Sequence, residues 1–207
     1  MKKHIILFTA LSLLVLLGCE KAEIDLRDSV MIYDDDCPGL PIYSEYGYNT
    51  FGAYFDRGEF ISNWSDVPGK ILVQDGNTSF ILTGYLRNPE RKKISVSFTF
   101  LNMEFDKYED LLSLDNLSFD LSDTTSCRVT VEKNEEEGEG GEDLYVEKAS
   151  GFITFKKAQR LIVDKEMVEI ILAGEFELQV IMNDKPSKFT DGRFDIGVGK
   201  YNFFRFD

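Results

Sequence analysis

The stretch Val168-Glu169-Ile170-Ile171-Leu172-Ala173-Gly174-Glu175-Phe176-Glu177-Leu178-Gln179-Val180-Ile181-Met182 decides the fold class. Its even positions are apolar apart from Gly174, while Glu169, Glu175, Glu177 and Gln179 stand at odd ones. A helix turns about 100° per residue and would scatter such a set around its axis, whereas a strand places alternate residues on one face. The segment is therefore a long strand, and Gly174 midway is where a bulge or bend is expected. Ile94, Val96, Phe98 and Phe100 repeat the pattern against Ser95, Ser97 and Thr99, as in a sheet with one buried face.

Outward from these two segments the same period recurs. Phe51, Ala53 and Phe55 alternate with Gly52 and Tyr54, and Asp56-Arg57-Gly58 marks a turn before Phe60 and Ile61, so a hairpin is expected. Further strands are predicted near Ile71–Gln74, Phe80–Leu86, Arg128–Glu132, Tyr145–Phe155 and Phe194–Phe206. One segment has helical character, Asp106 to Leu112, with an aspartate available as N-cap and acids in its first turn. Strands that outnumber helices this heavily predict an all-β domain: an antiparallel sandwich, or alternatively a closed lipocalin-like barrel, with one short connecting helix. Periodicity does not choose between the two.

The N-terminus has a different character. Met1-Lys2-Lys3-His4 precedes an apolar or small run from Ile5 to Leu17, then Gly18, Cys19 and Glu20. A charged start, a short apolar run and a processing site make a signal peptide, and thirteen residues fall short of the roughly 20 that span a bilayer as a helix. Leu16-Leu17-Gly18-Cys19 resembles the lipobox of bacterial lipoproteins. That resemblance implies residues 1–18 as the signal peptide, a diacylglyceryl thioether on Cys19, and a membrane partner reached through that lipid. Two or three acyl chains hold a protein stably on a membrane, each buried methylene contributing about 0.8 kcal/mol. Residues 19–48, with acids, Pro38, Gly39, Pro41 and no sustained period, are expected as a lipidated tether of which part could dock, and 49–207 as a single β-rich domain.

A second resemblance lies at the two ends of that domain. Asn49-Thr50-Phe51-Gly52-Ala53-Tyr54 and Thr190-Asp191-Gly192-Arg193-Phe194-Asp195-Ile196 are similar to the opening and closing segments of a group of all-β cell-envelope lipoproteins of the Bacteroidetes. The resemblance implies an envelope location, usually the outer membrane, and hands over no catalytic residue.

Composition narrows function. The chain carries a formal charge of -14, and loss of residues 1–18 removes two lysines and no acid, leaving -16. Such a surface repels nucleic acid, so no nucleic-acid partner is expected. The same cleavage removes His4, the only histidine, which excludes Ser-His-Asp, Cys-His and His-zinc chemistry. Two cysteines remain after lipidation. Cys37 and Cys127 could form a disulfide in an exported compartment, although Cys127 is in phase with Val129 and Val131 and could equally be a small buried residue.

Several clusters have a sharp and a plain interpretation. The run Asn134 to Asp143, with five glutamates, reads as a solvated hairpin loop, and the alternate acid spacing of calcium loops is missing. Asp34-Asp35-Asp36 is treated the same way, so no metal or cofactor is expected. Tyr43, Tyr46, Tyr48, Tyr54 and Trp64 could stack on a sugar or partner, but are expected mainly to staple the N-terminal segment to the sheet. Phe203, Phe204 and Phe206 would close the last strand or, if exposed, form a docking edge. Asp28-Ser29-Val30 and Asp123-Thr124-Thr125 look like acceptor tripeptides for O-linked glycans in the Bacteroidetes. The expectation is a non-enzymatic envelope domain that binds a glycan or an envelope protein; the alternatives are a glycan hydrolase using two carboxylates and a structural surface or fimbria-associated subunit.

Overall fold

The computed structural model describes residues 29–63, 67–87, 92–134, 142–144, 146–163 and 166–206. Cys19, Asp28, Trp64 and most of the glutamate-rich run (residues 135–141) lie outside these. The described strands are β1 (Thr50–Phe55), β2 (Gly58–Ile61), β3 (Gly69–Gln74), β4 (Asn77–Leu86), β5 (Lys93–Phe100), β6 (Leu117–Asp120), β7 (Cys127–Asn134), β8 (Glu142–Leu144), β9 (Val146–Val163), β10 (Glu166–Met182), β11 (Lys185–Val198) and β12 (Phe203–Arg205). All belong to one sheet in the order β6-β9-β10-β11-β1-β2-β4-β5-β7-β8, with β3 on β4 and β12 on β3. Among the described residues the fold is all-β with one short helix.

Tight turns set this order. Asp75 and Gly76, and Asn183 and Asp184, hold positive φ angles of 52°, 74°, 49° and 62° in the two-residue loops β3-β4 and β10-β11. Two successive left-handed residues match the right-handed strand twist, and Asn, Asp and Gly are the residues that tolerate them. The expected β1-β2 hairpin forms, with Phe55 opposite Gly58 and Asp56 at φ 52°. At Gly174 the register with β9 shifts by one residue. A Cβ there would collide with the Thr154 carbonyl and reach 2.5 Å from Phe194 Cζ, so glycine admits the Phe194 ring.

The sheet doubles over so that β4 and β5 face β9, β10 and β11. Ring contacts cross the interior: Phe80 with Phe155 at 5.5 Å, Phe98 with Phe176 at 5.5 Å and Phe100 with Phe119 at 4.2 Å between centroids, while Phe155 and Phe194 meet over Gly174 at 5.5 Å. Phe51, Phe60, Phe80, Phe98, Phe155, Phe176 and Phe189 are wholly buried. The inside is thus filled by phenylalanine, each ring removing some 150–250 Å2 from water, and the surfaces open to a ligand lie on the outside of the sheet.

Three expectations are corrected. Residues 194–206 do not form one strand: the chain steps sideways at Gly199–Asn202 without reversing, so β12 pairs with β3 in parallel, the exception in an otherwise antiparallel sheet. Buried Asn202 makes that step, its Oδ1 accepting from Gly199 N at 2.9 Å and its Nδ2 donating to the Gly69 and Gly197 carbonyls at 2.9 and 2.8 Å. The strand predicted to end at Phe155 runs on to Val163 as the partner of β10. The helical segment is a 3-10 helix, Tyr108–Leu114, whose N-cap is Lys107 and not an aspartate. Its buried Tyr108, Leu111 and Leu114 recur every third residue, matching three residues per turn. Of the two readings open for the cysteines, the bridge is absent: Cys37 and Cys127 are both free. Cys127 is 1% exposed in β7 opposite Phe100, whereas Cys37 lies on the outer side beside Arg193, so the domain wall separates them.

Candidate functional site: the outer face of β9, β10 and β11

Strand alternation places the polar residues of these three strands on a common outer face in cross-strand rows. One row joins Thr154, Glu175 and Arg193; the next joins Phe152 and Glu177 beside Asp191; a third joins Ser150, Gln179 and Lys188; the last joins Lys148, Ile181 and Pro186. Along β11, register shifts with both neighbours and φ 54° at Asp191 form a bulge that turns Asp191 out of the ladder.

Part of this face is covered. Residues 29–48, expected as tether, cross the outside of the sheet as a strap, and Asp195 holds them. The Asp195 carboxylate, 1% exposed, accepts from Tyr46 N at 3.2 Å, Gly47 N at 2.8 Å, Tyr48 N at 3.0 Å and the Ser44 hydroxyl. Three backbone N–H groups and a hydroxyl converging on one buried carboxylate make a charge-assisted anchor. Gln159 Nε2 donates to Glu45 O, Ser29 Oγ to Asn49 O at 2.7 Å, and Gly197 N to Asn49 Oδ1 at 2.9 Å. Leu40, within the strap, is wholly buried.

A second anchor is Arg193, which donates to the Asp34 carboxylate and, at 3.1 Å, to Cys37 Sγ. Asp34 also accepts from Asp36 N at 2.9 Å. That backbone hydrogen bond, against the opposing pull of burial and together with Arg193, holds the Asp34 carboxyl below its ordinary range. Burial would favour a neutral Arg193, but the hydrogen bonds to Cys37 and Asp34 outweigh it and raise its pKa. Burial, with Asp123 nearby, pushes the Cys127 thiol up to about 11, so it stays protonated and inert.

The tyrosines divide. Tyr43 and Tyr48 are half-buried in the strap, Tyr43 donating to Glu45 at 2.9 Å, and Tyr54 donates to the Pro38 carbonyl at 2.9 Å, the stapling expected of them. Tyr46 is 72% exposed, its ring 5.7 Å from that of Tyr48. Phe203 packs on the core while Phe204 and Phe206 are exposed. Of the two tripeptides, Ser29 is buried with its hydroxyl engaged, and Thr124 is exposed in a turn capped by Asp123.

Beyond the strap the face opens into two adjoining grooves. The smaller, about 190 Å3, is lined by Phe152, Glu175, Glu177, Asp191 and Arg193, among others. Glu175 is ion-paired with Lys156, and Phe152 is 38% exposed at the rim. The larger, about 580 Å3, reaches the β10-β11 turn and is lined by Lys148, Ser150, Gln179, Lys188 and Asp56 with Ile181 and Pro186. Neither groove was anticipated from sequence, because each depends on which strands become neighbours; the outward Glu175, Glu177 and Gln179 were the legible part. Among the described residues no group of three or more His, Cys, Asp or Glu side chains is placed to hold a metal ion, and no helix is long and apolar enough to cross a membrane. Comparison with known proteins finds no matching family model, no matching curated protein and no matching solved structure.

Proposed function

We propose that this chain is a lipid-anchored protein of the cell envelope whose β domain works by binding a glycan or an envelope protein, without catalysis. The observation that carries the binding part is the pair of adjoining grooves left open on the outer face of β9, β10 and β11, beside a strap that covers another part of that face. The grooves offer carboxylates, ammonium groups, hydroxyls, an amide and an exposed ring, the mixture that recognises polar, hydroxyl-rich ligands. The envelope part rests on Leu16-Leu17-Gly18-Cys19 and on the two end segments of the domain.

One observation favours the hydrolase alternative: Glu175, Glu177 and Asp191 share a groove. Against it, Glu175 is ion-paired with Lys156, and the groove the three carboxylates share is shallow and open on the outside of the sheet.

The test has two arms. Mass spectrometry of the membrane fraction should find Cys19 as an acylated N-terminus, and Cys19→Ala should leave the leader attached. The mature protein in detergent, applied to a glycan array, should retain ligands without shortening them. An unmodified Cys19 removes the anchor, and released sugar fragments replace binding with hydrolysis.

A further inference from the structure

We infer that the larger groove, at the β10-β11 end of the outer face, binds an acidic saccharide, with Lys148 and Lys188 receiving its carboxylate or sulfate groups. This rests on the binding reading above and names its ligand class. Charge is the first argument. On a chain of formal charge -14, this groove sets an ammonium from β9 and another from β11 on either side of Gln179 and Ile181 of β10. Both lysines are exposed, and among the described residues neither forms an ion pair. Exposed Lys70 and Lys185 are likewise in none of these ion pairs, so what sets Lys148 and Lys188 apart is that they line one groove from two different strands. Here the one acid on the wall, Asp56, instead brackets the Lys188 backbone, accepting from its N–H at 3.0 Å and donating its own N–H to its carbonyl at 2.9 Å.

The remaining lining separates a saccharide from other anions. Ser150, Ser187 and Gln179 supply donors and acceptors for hydroxyls, and the Asp56 carboxylate accepts only from donors such as sugar hydroxyls. Ile181, 36% exposed, and Pro186 opposite it give an apolar floor for the C–H face of a ring. The groove volume, about 580 Å3, lies within the roughly 300–1,000 Å3 of small-molecule sites. The smaller groove beside it is acidic, so an extended anionic chain is steered toward the turn end and away from the strap.

The mature protein in detergent is titrated with fluorescein-labelled oligogalacturonide, with a neutral maltooligosaccharide of equal length and with a polyglutamate peptide. Galacturonide should bind at least tenfold more tightly than either, and more weakly as salt rises. Lys148→Gln and Lys188→Gln should each weaken it about tenfold, the scale of one lost hydrogen bond to a charged group. Lys70→Gln, an exposed lysine of β3 outside both grooves, should change nothing. Equal affinity for the neutral chain, or loss of binding through neither lysine, overturns the assignment while a glycan-binding role stands. Tighter binding of polyglutamate gives the groove to acidic peptides and overturns it too. Failure of all three probes, while the glycan array retains some other ligand, overturns the inference alone; a silent array overturns both.

Discussion

The two ends of β10 share strand geometry and differ in what covers them. From Ile170 to Ala173 both faces are buried, the inner by Phe-lined core and the outer by the strap, with Gly47 lying over Ile171. From Phe176 to Met182 the even residues are buried and Glu177, Gln179 and Ile181 face the grooves. A strand buried on both faces reads as a continuous apolar run, and one buried on a single face alternates. The run Ile170-Ile171-Leu172-Ala173 was thus already a sign that something lies over that half. The lesson is that parity tells which residues point inward, while a break in parity tells where a second layer sits.

This contrast can be broken most strongly from inside. Phe155, wholly buried and in ring contact with Phe80, Phe100, Phe119 and Phe194, serves both ends of the sheet. Phe155→Ala should cost about 3–5 kcal/mol in urea denaturation and should weaken covered and open ends alike. Asp195→Ala is expected to act on one end alone. It removes the acceptor of three part-buried backbone N–H groups and of the Ser44 hydroxyl, so residues 29–48 should become proteolysed and exchange amide hydrogens quickly while residues 176–182 stay protected. Equal loss of protection at both ends would mean that the strap and the sheet are a single cooperative unit.

The smallest effect is the pH response of the Arg193 anchor. Asp34 has a folded-state pKa below its ordinary 3.8, so its ionised form favours the docked strap. That contribution is fully present above the unfolded value and is lost as pH falls through the lowered folded value. Hydrogen exchange of residues 33–41 should therefore accelerate below about pH 4, with β10 unaffected across the same window. Asp34→Asn should abolish the pH dependence and leave the Asp195 anchor in place.

How much was legible follows from the range of the forces involved. The strand pattern of Ile94–Phe100 and of the second half of β10 was visible because alternation is a property of adjacent residues. The Asp56-Arg57-Gly58 turn and the bend at Gly174 were visible because glycine and aspartate advertise backbone geometry. β9 beyond Phe155 was missed: Lys156-Lys157-Ala158-Gln159-Arg160 carries no alternation, and it is a strand because β10 supplies its ladder. The strap was read as tether because its order comes from Asp195, about 150 residues away along the chain.

By itself the sequence determined an acidic all-β chain with a single histidine, since net charge, residue inventory and period two are sums over local chemistry. Only the tertiary structure decided that a strap seals part of one face, that grooves open beside it, and that Cys37 and Cys127 lie apart. Those outcomes depend on which strands become neighbours when a sheet doubles over a phenylalanine core, and that choice is made by contacts between residues far apart in the chain.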